Sequence, residues 1–200
     1  MSAPNAPPWR SAVAALLALA SAQLDAGQGI LDRCWTPAQL RDGAGAGPQG
    51  APAPASATPL PLPPVPEGLR GVIRRVRPAG DEKLVALTFD LCESGGAPSG
   101  YDAPLVAYLR DEGVRATFFA GGKWLRSHPE PALQLMADPR FEIGSHSWSH
   151  KDFRGLAPAA RAEQIEGAQA EYARLRAALA RRECAGAEAL AGIPDQPATF

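Results

Sequence analysis

Residues 83–90 read KLVALTFD, a continuous apolar run with a charged residue at either end. Such a run is typical of a strand that is buried on both faces of a parallel sheet. Two further apolar runs have the same character, residues 114–122 (VRATFFAGG) and residues 140–147 (RFEIGSHS). They predict the second and third strands of the same sheet.

Helical segments separate these strands. The first covers residues 100–113 and reads GYDAPLVAYLRDEG. Asp102 is a possible N-cap, Pro104 lies in the first turn, and Gly113 provides a stop signal. Residues 128–138 (HPEPALQLMAD) predict a second helix before the third strand.

The longest helix is predicted from Pro158 to about Arg182. Its apolar residues recur at helical spacing and form a single stripe, consisting of Ile165, Ala168, Tyr172, Leu175 and Leu179. Alternation of strand and helix predicts an α/β fold of right-handed βαβ units that build a parallel sheet or barrel. Residues 68–76 predict an additional edge strand, and ATF at residues 198–200 resembles the start of another. Three or four strands with three helices form only part of a barrel.

The N-terminus has the three-part layout of a secretory signal peptide. Arg10 is followed by an apolar run over residues 12–20 and by small residues that end at Ala22, the expected cleavage point. The apolar run is too short to span a bilayer comfortably, so no stable membrane insertion is expected after cleavage. These features predict a secreted or periplasmic protein.

Composition divides the chain into four segments. Residues 1–22 are the expected signal peptide, and residues 23–42 form a short N-terminal segment. Residues 43–68 are rich in Pro, Ala and Gly without apolar periodicity, which predicts a disordered linker of extended polyproline character. Residues 69–200 are the predicted folded domain. A net charge of −1 gives no sign of a polyanionic partner, so nucleic-acid binding is not expected.

Two groups of polar residues lie where predicted strands end, the edge at which parallel α/β proteins collect their active residues. Asp90 ends the first buried strand, and a glycine-rich loop follows it. His146 and His150 follow the third strand. At positions i and i+4 of a helical turn, two imidazoles project from one face and can share a divalent ion. Two histidines and one carboxylate, with open positions for water, form a common hydrolytic metal site.

Three stretches in this order resemble the polysaccharide deacetylases, the carbohydrate esterase family four or NodB-homology domain. They are LVALTFD at residues 84–90, RATFFAGGKW at residues 115–124 and FEIGSHSWSH at residues 141–150. The resemblance covers about residues 69–200 and implies the N-terminal part of a deformed (β/α) barrel. It also implies metal-dependent removal of acetyl groups from N-acetylated, or sometimes O-acetylated, carbohydrate polymers. The expected partner is therefore an acetylated carbohydrate.

The resemblance also implies roles for single residues. Asp90 matches the family's catalytic base, and His146 and His150 match its metal ligands, with Zn²⁺ as the expected ion. The usual second aspartate is replaced by Leu91, which cannot ligate a cation. Glu93, two residues further on, is expected to supply the missing oxygen, and Asp90 turning to the metal is the alternative.

The three cysteines form no C-x-x-C pair, which argues against a zinc ribbon or a thioredoxin-like motif. Because export implies an oxidising compartment, we expect Cys92 to form a disulfide with Cys184 or with a cysteine beyond Phe200. A free thiol and a ligand at the neighbouring site remain alternatives for Cys92, and Cys34 has no assigned partner.

Leu91 keeps a second enzymatic interpretation open, a metal-independent C–N hydrolase of small cyclic amides. A third interpretation is a catalytically inactive, sugar-binding relative. In the resembled family, later motifs carry a histidine that acts as general acid and an arginine that orients the base. These motifs lie beyond Phe200, so we expect a truncated domain and little turnover by these 200 residues alone.

Overall fold

The computed structural model describes residues 29–42, 53, 64–72, 74–75, 80, 83–93, 101–186, 190–197 and 199. The predicted signal peptide lies outside these residues, and so does most of the predicted linker. The described chain contains three strands: β1 (Thr88–Leu91), β2 (Ala116–Ala120) and β3 (Phe141–Ser145). Its helices are α1 (Ile30–Cys34), α2 (Pro37–Leu40), α3 (Ala103–Asp111), α4 (Gly122–Ser127), α5 (Pro129–Ala137) and α6 (Pro158–Ala180). Short 3₁₀ turns cover Glu67–Leu69, Phe153–Gly155 and Glu183–Ala185.

The three strands form one parallel sheet in the order β1-β2-β3. Asp90 of β1 lies opposite Phe119 of β2, which in turn lies opposite Gly144 of β3. The predicted parallel α/β arrangement is confirmed. In this register the carboxyl ends of all three strands lie along the same edge of the sheet.

The hydrophobic core lies between the helices and one face of the sheet. Leu91, Phe118 and Ile143, one from each strand, are buried on this face. Helix α5 is buried along most of its length, and α6 packs against α4 and α5. The opposite face carries Asp90 and Glu142, which are exposed. Helix packing against a single face leaves the other face available for polar side chains.

The helix signals read from the sequence are confirmed at α3. The carboxylate of Asp102 accepts a hydrogen bond of 3.0 Å from the backbone N–H of Leu105, as an N-cap does. Gly113 takes a φ of 65° just after the helix, a conformation that favours glycine. Helix α4 was not predicted, although Gly121, which precedes it, and Gly122, its first residue, mark the turn from β2.

Two strand predictions were wrong in part. In residues 83–90 the strand begins only at Thr88, and Leu84 and Val85 are 67% and 90% exposed. Both residues precede the part of the chain that pairs with β2. The described residues of the stretch 68–76 form a 3₁₀ turn and irregular backbone instead of an edge strand.

Helix α6 is confirmed, and four residues of its predicted stripe are buried. Ile165 is the exception, with 36% of its surface exposed. At this turn the buried face of the helix is centred on Gln164 and Ala168, so Ile165 lies to one side of it.

The N-terminal segment, which the sequence set apart from the domain, packs into the domain core through Ile30, Leu31 and Trp35. A disulfide between Cys34 and Cys184 joins it to the chain that follows α6. The expected pairing of Cys92 with Cys184 is therefore wrong, and Cys92 is a free thiol.

The backbone carbonyl of Thr199 accepts a hydrogen bond of 2.8 Å from the N–H of Ser145. This contact places Thr199 beside the edge of β3 that faces away from β2. Thr199 is not part of a strand, and residues 198 and 200 of the expected strand start lie outside the described residues. None of the described helices combines the length and the apolar character needed to cross a bilayer.

Candidate functional site

The carboxyl ends of β1 and β3 bring the three central predicted residues to one place. Asp90 lies in β1 with 62% of its side chain exposed, and its Oδ2 is 3.9 Å from Nε2 of His146. This separation is too long for a hydrogen bond, yet short enough for the carboxylate to act electrostatically on the imidazole. The rings of His146 and His150 lie 4.6 Å apart, centroid to centroid.

The two histidines reach each other through a turn, so the expected helical turn is wrong. Residues 147–149 form a turn in which Ser147 has a φ of 61°, and His150 has a φ of 54°. These left-handed values are uncommon for residues other than glycine and occur often at functional sites. The turn folds the chain back, which brings the second imidazole to the first.

Hydrogen bonds within the turn and from α6 fix this conformation. The hydroxyl of Ser147 accepts a hydrogen bond of 3.0 Å from the backbone N–H of His150. The side-chain oxygen of Gln164, in α6, accepts from the backbone N–H and the hydroxyl of Ser149 at 2.9 and 3.1 Å. Gln164 is buried, so water cannot readily replace these hydrogen bonds.

Helix α4 holds the turn on the side opposite to Gln164. The N–H groups of Gly122 and Lys123 donate to the carbonyls of Ser147 and Trp148 at 2.9 and 3.0 Å. A Cβ on Gly122 would lie 2.2 Å from the indole ring of Trp148, so only glycine permits this approach. Trp148 is 3% exposed, which identifies it as a packing residue of the turn rather than a surface for a sugar.

The imidazole of His146 is suited to bind a cation. Burial lowers its pKa, and His150 lowers it further, while the charge of Asp90 opposes part of this effect. The neutral ring is therefore favoured, and a neutral imidazole is the form that binds metals. Its Nε2 is buried and has no hydrogen-bond partner among the described residues.

Cys92 lies with the two histidines. One ligand atom from each of Cys92, His146 and His150 lies within 4.8 Å of the other two. Burial raises the pKa of the Cys92 thiol, and the charge of Asp90 raises it further, so the thiol is protonated at neutral pH when no cation is present. The sequence signal for this placement was its position two residues after Asp90, because alternate residues of a strand share a face.

Glu93, the expected source of a carboxylate ligand, is not part of this cluster. Its Oε1 is buried without a hydrogen-bond partner in the described chain. Its charge instead acts on His128, at the junction of α4 and α5, where it opposes the lowering of the pKa of His128 by burial.

An open cavity of about 290 Å³ adjoins the histidines. Its lining includes Lys151, Asp152 and Phe153, for which the sequence predicted no role. They follow directly on His150, so the same turn that brings the imidazoles together also forms the cavity wall. The cavity is open to solvent.

Comparison of the sequence with known proteins identifies a family. A family model described as polysaccharide deacetylase matches residues 77–181, more than half of the chain. The chitin deacetylase of Colletotrichum lindemuthianum is 34% identical over 41% of this chain and 33% of its own length. The chitin deacetylase of Pestalotiopsis sp is 37% identical over 36% of this chain and 23% of its own length.

A bacterial relative matches as well. The peptidoglycan-N-acetylmuramic acid deacetylase PdaC of Bacillus subtilis (strain 168) is 32% identical over 44% of this chain and 18% of its own length. The chain thus spans a third or less of the length of these curated relatives. No solved structure matches it.

Proposed function

Because the chain belongs to the polysaccharide deacetylase family, we propose that it is part of a metal-dependent hydrolase that removes acetyl groups from an acetylated carbohydrate polymer. The observation that carries this proposal is the convergence of Asp90, His146 and His150 at one edge of the sheet. A carboxylate beside two imidazoles that can hold a cation is an arrangement suited to metal-assisted hydrolysis of an amide.

The residues fit a divalent cation. Nε2 of His146 is buried without a hydrogen-bond partner in the described chain, and the ring of His150 is adjacent. These two imidazoles would hold the ion, for which Zn²⁺ is the expected identity. When bound, Zn²⁺ supplies Lewis-acid chemistry, which lowers the pKa of water and polarises an acetyl carbonyl.

Asp90 is the proposed general base. Its carboxylate is largely exposed, so it is accessible to water, and it lies 3.9 Å from His146. In the proposed reaction, a carboxylate oxygen accepts the proton that water releases as it attacks the acetyl carbon. Pairing of the β1 backbone with β2 brings Asp90 to the same edge of the sheet as His146.

N-acetylated amino-sugar polymers are the proposed substrates. The named relatives are deacetylases of chitin and of peptidoglycan, which are both such polymers. The open cavity beside the histidines supports this class because it can admit one sugar unit while the rest of the polymer remains outside. O-acetylated carbohydrates remain the second substrate class, because an acetyl ester presents a similar carbonyl.

Export is proposed together with this activity. The disulfide between Cys34 and Cys184 supports an oxidising compartment, because such bonds persist outside the cytosol. A secreted or periplasmic location also brings the site to cell-wall or extracellular polysaccharides.

The test is acetate release by the full-length protein that contains these residues. With Zn²⁺ and a chito-oligosaccharide or peptidoglycan, we expect acetate, loss of acetate release in a chelator, and recovery when Zn²⁺ is restored. Asp90→Asn should lower the rate at least about 100-fold while Zn²⁺ binding persists. Asp111→Asn is the matched control, because Asp111 is exposed in α3 and pairs with Arg41 away from the site.

Two outcomes would contradict the proposal. Full activity in the chelator would favour the metal-independent C–N hydrolase, an alternative that Leu91 keeps open because it replaces the usual metal-binding carboxylate. Tight binding of the oligosaccharide without any acetate release would favour a sugar-binding relative.

A further inference from the structure

We propose that Cys92 is the third protein ligand of the cation held by His146 and His150, so that the centre has two imidazoles and one thiolate. The inference rests on the proposed metal-dependent function and names a ligand that the resemblance to the family did not supply. The central observation is that these three side chains, alone among the described residues, bring ligand atoms within 4.8 Å of one another.

The spacing of these atoms suits a small cation. In a tetrahedral zinc site, bond lengths of about 2.3 Å to sulfur and about 2.0–2.1 Å to nitrogen separate the ligand atoms by roughly 3.3–3.6 Å. The observed upper limit of 4.8 Å therefore requires the side chains to close by little more than about 1 Å. His150 is exposed and can make this adjustment by side-chain rotation.

Side chains alternate along β1, and Cys92, the first residue after the strand, continues this alternation to the side of Asp90. Asp90 is exposed on the site face, and Leu91 is 2% exposed in the core on the opposite face. Cys92, two residues after Asp90, returns to the site face, whereas Glu93 turns its Oε1 into a buried position near His128. The proposed ligand, Cys92, thus lies one residue after position 91, where the family usually carries its second aspartate.

The chemistry of the donor set favours Zn²⁺. Cys34 and Cys184 are joined in a disulfide, and Cys92 is the free thiol of the described chain. Thiolate is a soft ligand that selects Zn²⁺ over Mg²⁺ or Ca²⁺, and catalytic zinc sites with three protein ligands use mixtures of cysteine and histidine. The thiol releases its proton to solvent as the sulfur–metal bond forms.

Cobalt substitution tests the assignment without an activity measurement. The full-length protein, with its disulfide intact, is freed of metal and titrated with Co²⁺, and its absorption spectrum is recorded. We expect an intense near-ultraviolet band from thiolate-to-cobalt charge transfer at one equivalent. Cys92→Ala should remove the band and weaken Zn²⁺ binding by at least about 100-fold, since loss of even an outer-shell partner costs 10–100-fold.

Two variants separate cysteine from carboxylate ligation. Glu93→Gln should keep both the band and the Zn²⁺ affinity. Cys92→Asp should bind Zn²⁺ more tightly than Cys92→Ala and give no charge-transfer band with Co²⁺. Circular dichroism checks that each variant is folded, and the band of the unmodified protein reports on the ligand even where a variant fails to fold.

The possible failures are distinguishable. If Co²⁺ binds, His146→Ala abolishes the binding, and no thiolate band appears, the cysteine ligand is wrong and the proposed metal dependence remains. If Glu93→Gln loses Co²⁺ and Zn²⁺ binding and Cys92→Ala does not, the inference is overturned and Glu93 is the third ligand. If neither Co²⁺ nor Zn²⁺ binds, both the inference and the metal dependence of the proposed function fail.

Discussion

The two halves of the site are held in different ways. The histidine turn, residues 146–150, is fixed by hydrogen bonds from α4 on one side and from Gln164 on the other. Among the described residues, the end of β1 is held by its pairing with β2 and by a hydrogen bond of 3.0 Å from the N–H of Gly121 to the carbonyl of Leu91. The backbone that carries the two histidines is therefore fixed. The end of β1 is less constrained, and it is there that the metal-binding residue can differ from the usual aspartate.

The largest effect is expected when Leu91 is replaced by the aspartate that the family usually carries at this position. Leu91→Asp should lower the free energy of unfolding by more than about 3 kcal/mol, because it places an unpaired charge in the core. Zn²⁺ affinity should not rise, because residue 91 faces away from the histidines. Urea unfolding and zinc titration measure the two quantities.

Leu84→Asp is the control for that substitution, because Leu84 is 67% exposed just before β1. It should change stability by no more than about 0.5 kcal/mol. A stable Leu91→Asp protein with tighter zinc binding would show that the assignment of faces along β1 is wrong.

A smaller loss is expected when the histidine turn is displaced. Gly122→Ala forces its new methyl group against the ring of Trp148, which should lower the free energy of unfolding by about 1–3 kcal/mol. Zn²⁺ affinity should fall as well, because the displaced turn carries His150. Gly155→Ala is the control, since a Cβ there meets nothing within 4 Å. Unchanged zinc affinity in Gly122→Ala would mean that α4 does not hold the ligands in place.

Loss of the hydrogen bonds from α6 should have a comparable or smaller effect. Gln164→Leu leaves the N–H of Ser149 without its acceptor, which should lower the free energy of unfolding by about 1–3 kcal/mol and weaken zinc binding. Gln134→Leu is the matched control. Gln134 is equally buried but donates to the carbonyl of Gln39, far along the chain from the histidines. If both variants change zinc affinity alike, the effect is global rather than a loosening of the turn.

The smallest expected effect is a pH dependence of stability that arises from His128, at the junction of α4 and α5. Burial lowers the pKa of His128, and hydrogen bonding at Trp124 and the charge of Glu93 oppose only part of this shift. Because the pKa of His128 is lower in the folded state than its unfolded value of 6.5, the neutral ring contributes stability at pH values above 6.5. This contribution to the free energy of unfolding is lost as the pH falls below 6.5 and through the folded pKa.

Urea unfolding of the metal-free protein from about pH 8 to about pH 5 should therefore show stability that falls as the pH falls. His146, whose pKa is also lowered, contributes in the same direction. His128→Gln should flatten part of this dependence and leave the remainder. An unchanged slope would show that His128 titrates alike in the folded and unfolded chains.

Local signals predicted much of the fold. Apolar runs located β2 and β3, and the cap at Asp102 and the stop at Gly113 located α3. Asp90, His146 and His150 could be grouped because parallel strands end at one edge of a sheet. Each of these features depends on residues close in sequence or on a general rule of topology.

Other features could not be read from the sequence, for physical reasons. The disulfide joins cysteines 150 residues apart, so its pairing depends on tertiary structure. The left-handed φ of His150 results from contacts with α4 and α6, because local preference disfavours it. Cys92 is different, since its position two residues after Asp90 already placed it on the same face of the strand.

The most direct test of the central claim is X-ray absorption at the zinc edge of the zinc-loaded, full-length protein. The claim is that the turn after β3 and the end of β1 converge on one cation. We expect scattering from two imidazoles and one sulfur around a single Zn²⁺, with one imidazole lost in His150→Ala. A zinc environment of oxygen ligands without imidazole would contradict the claim.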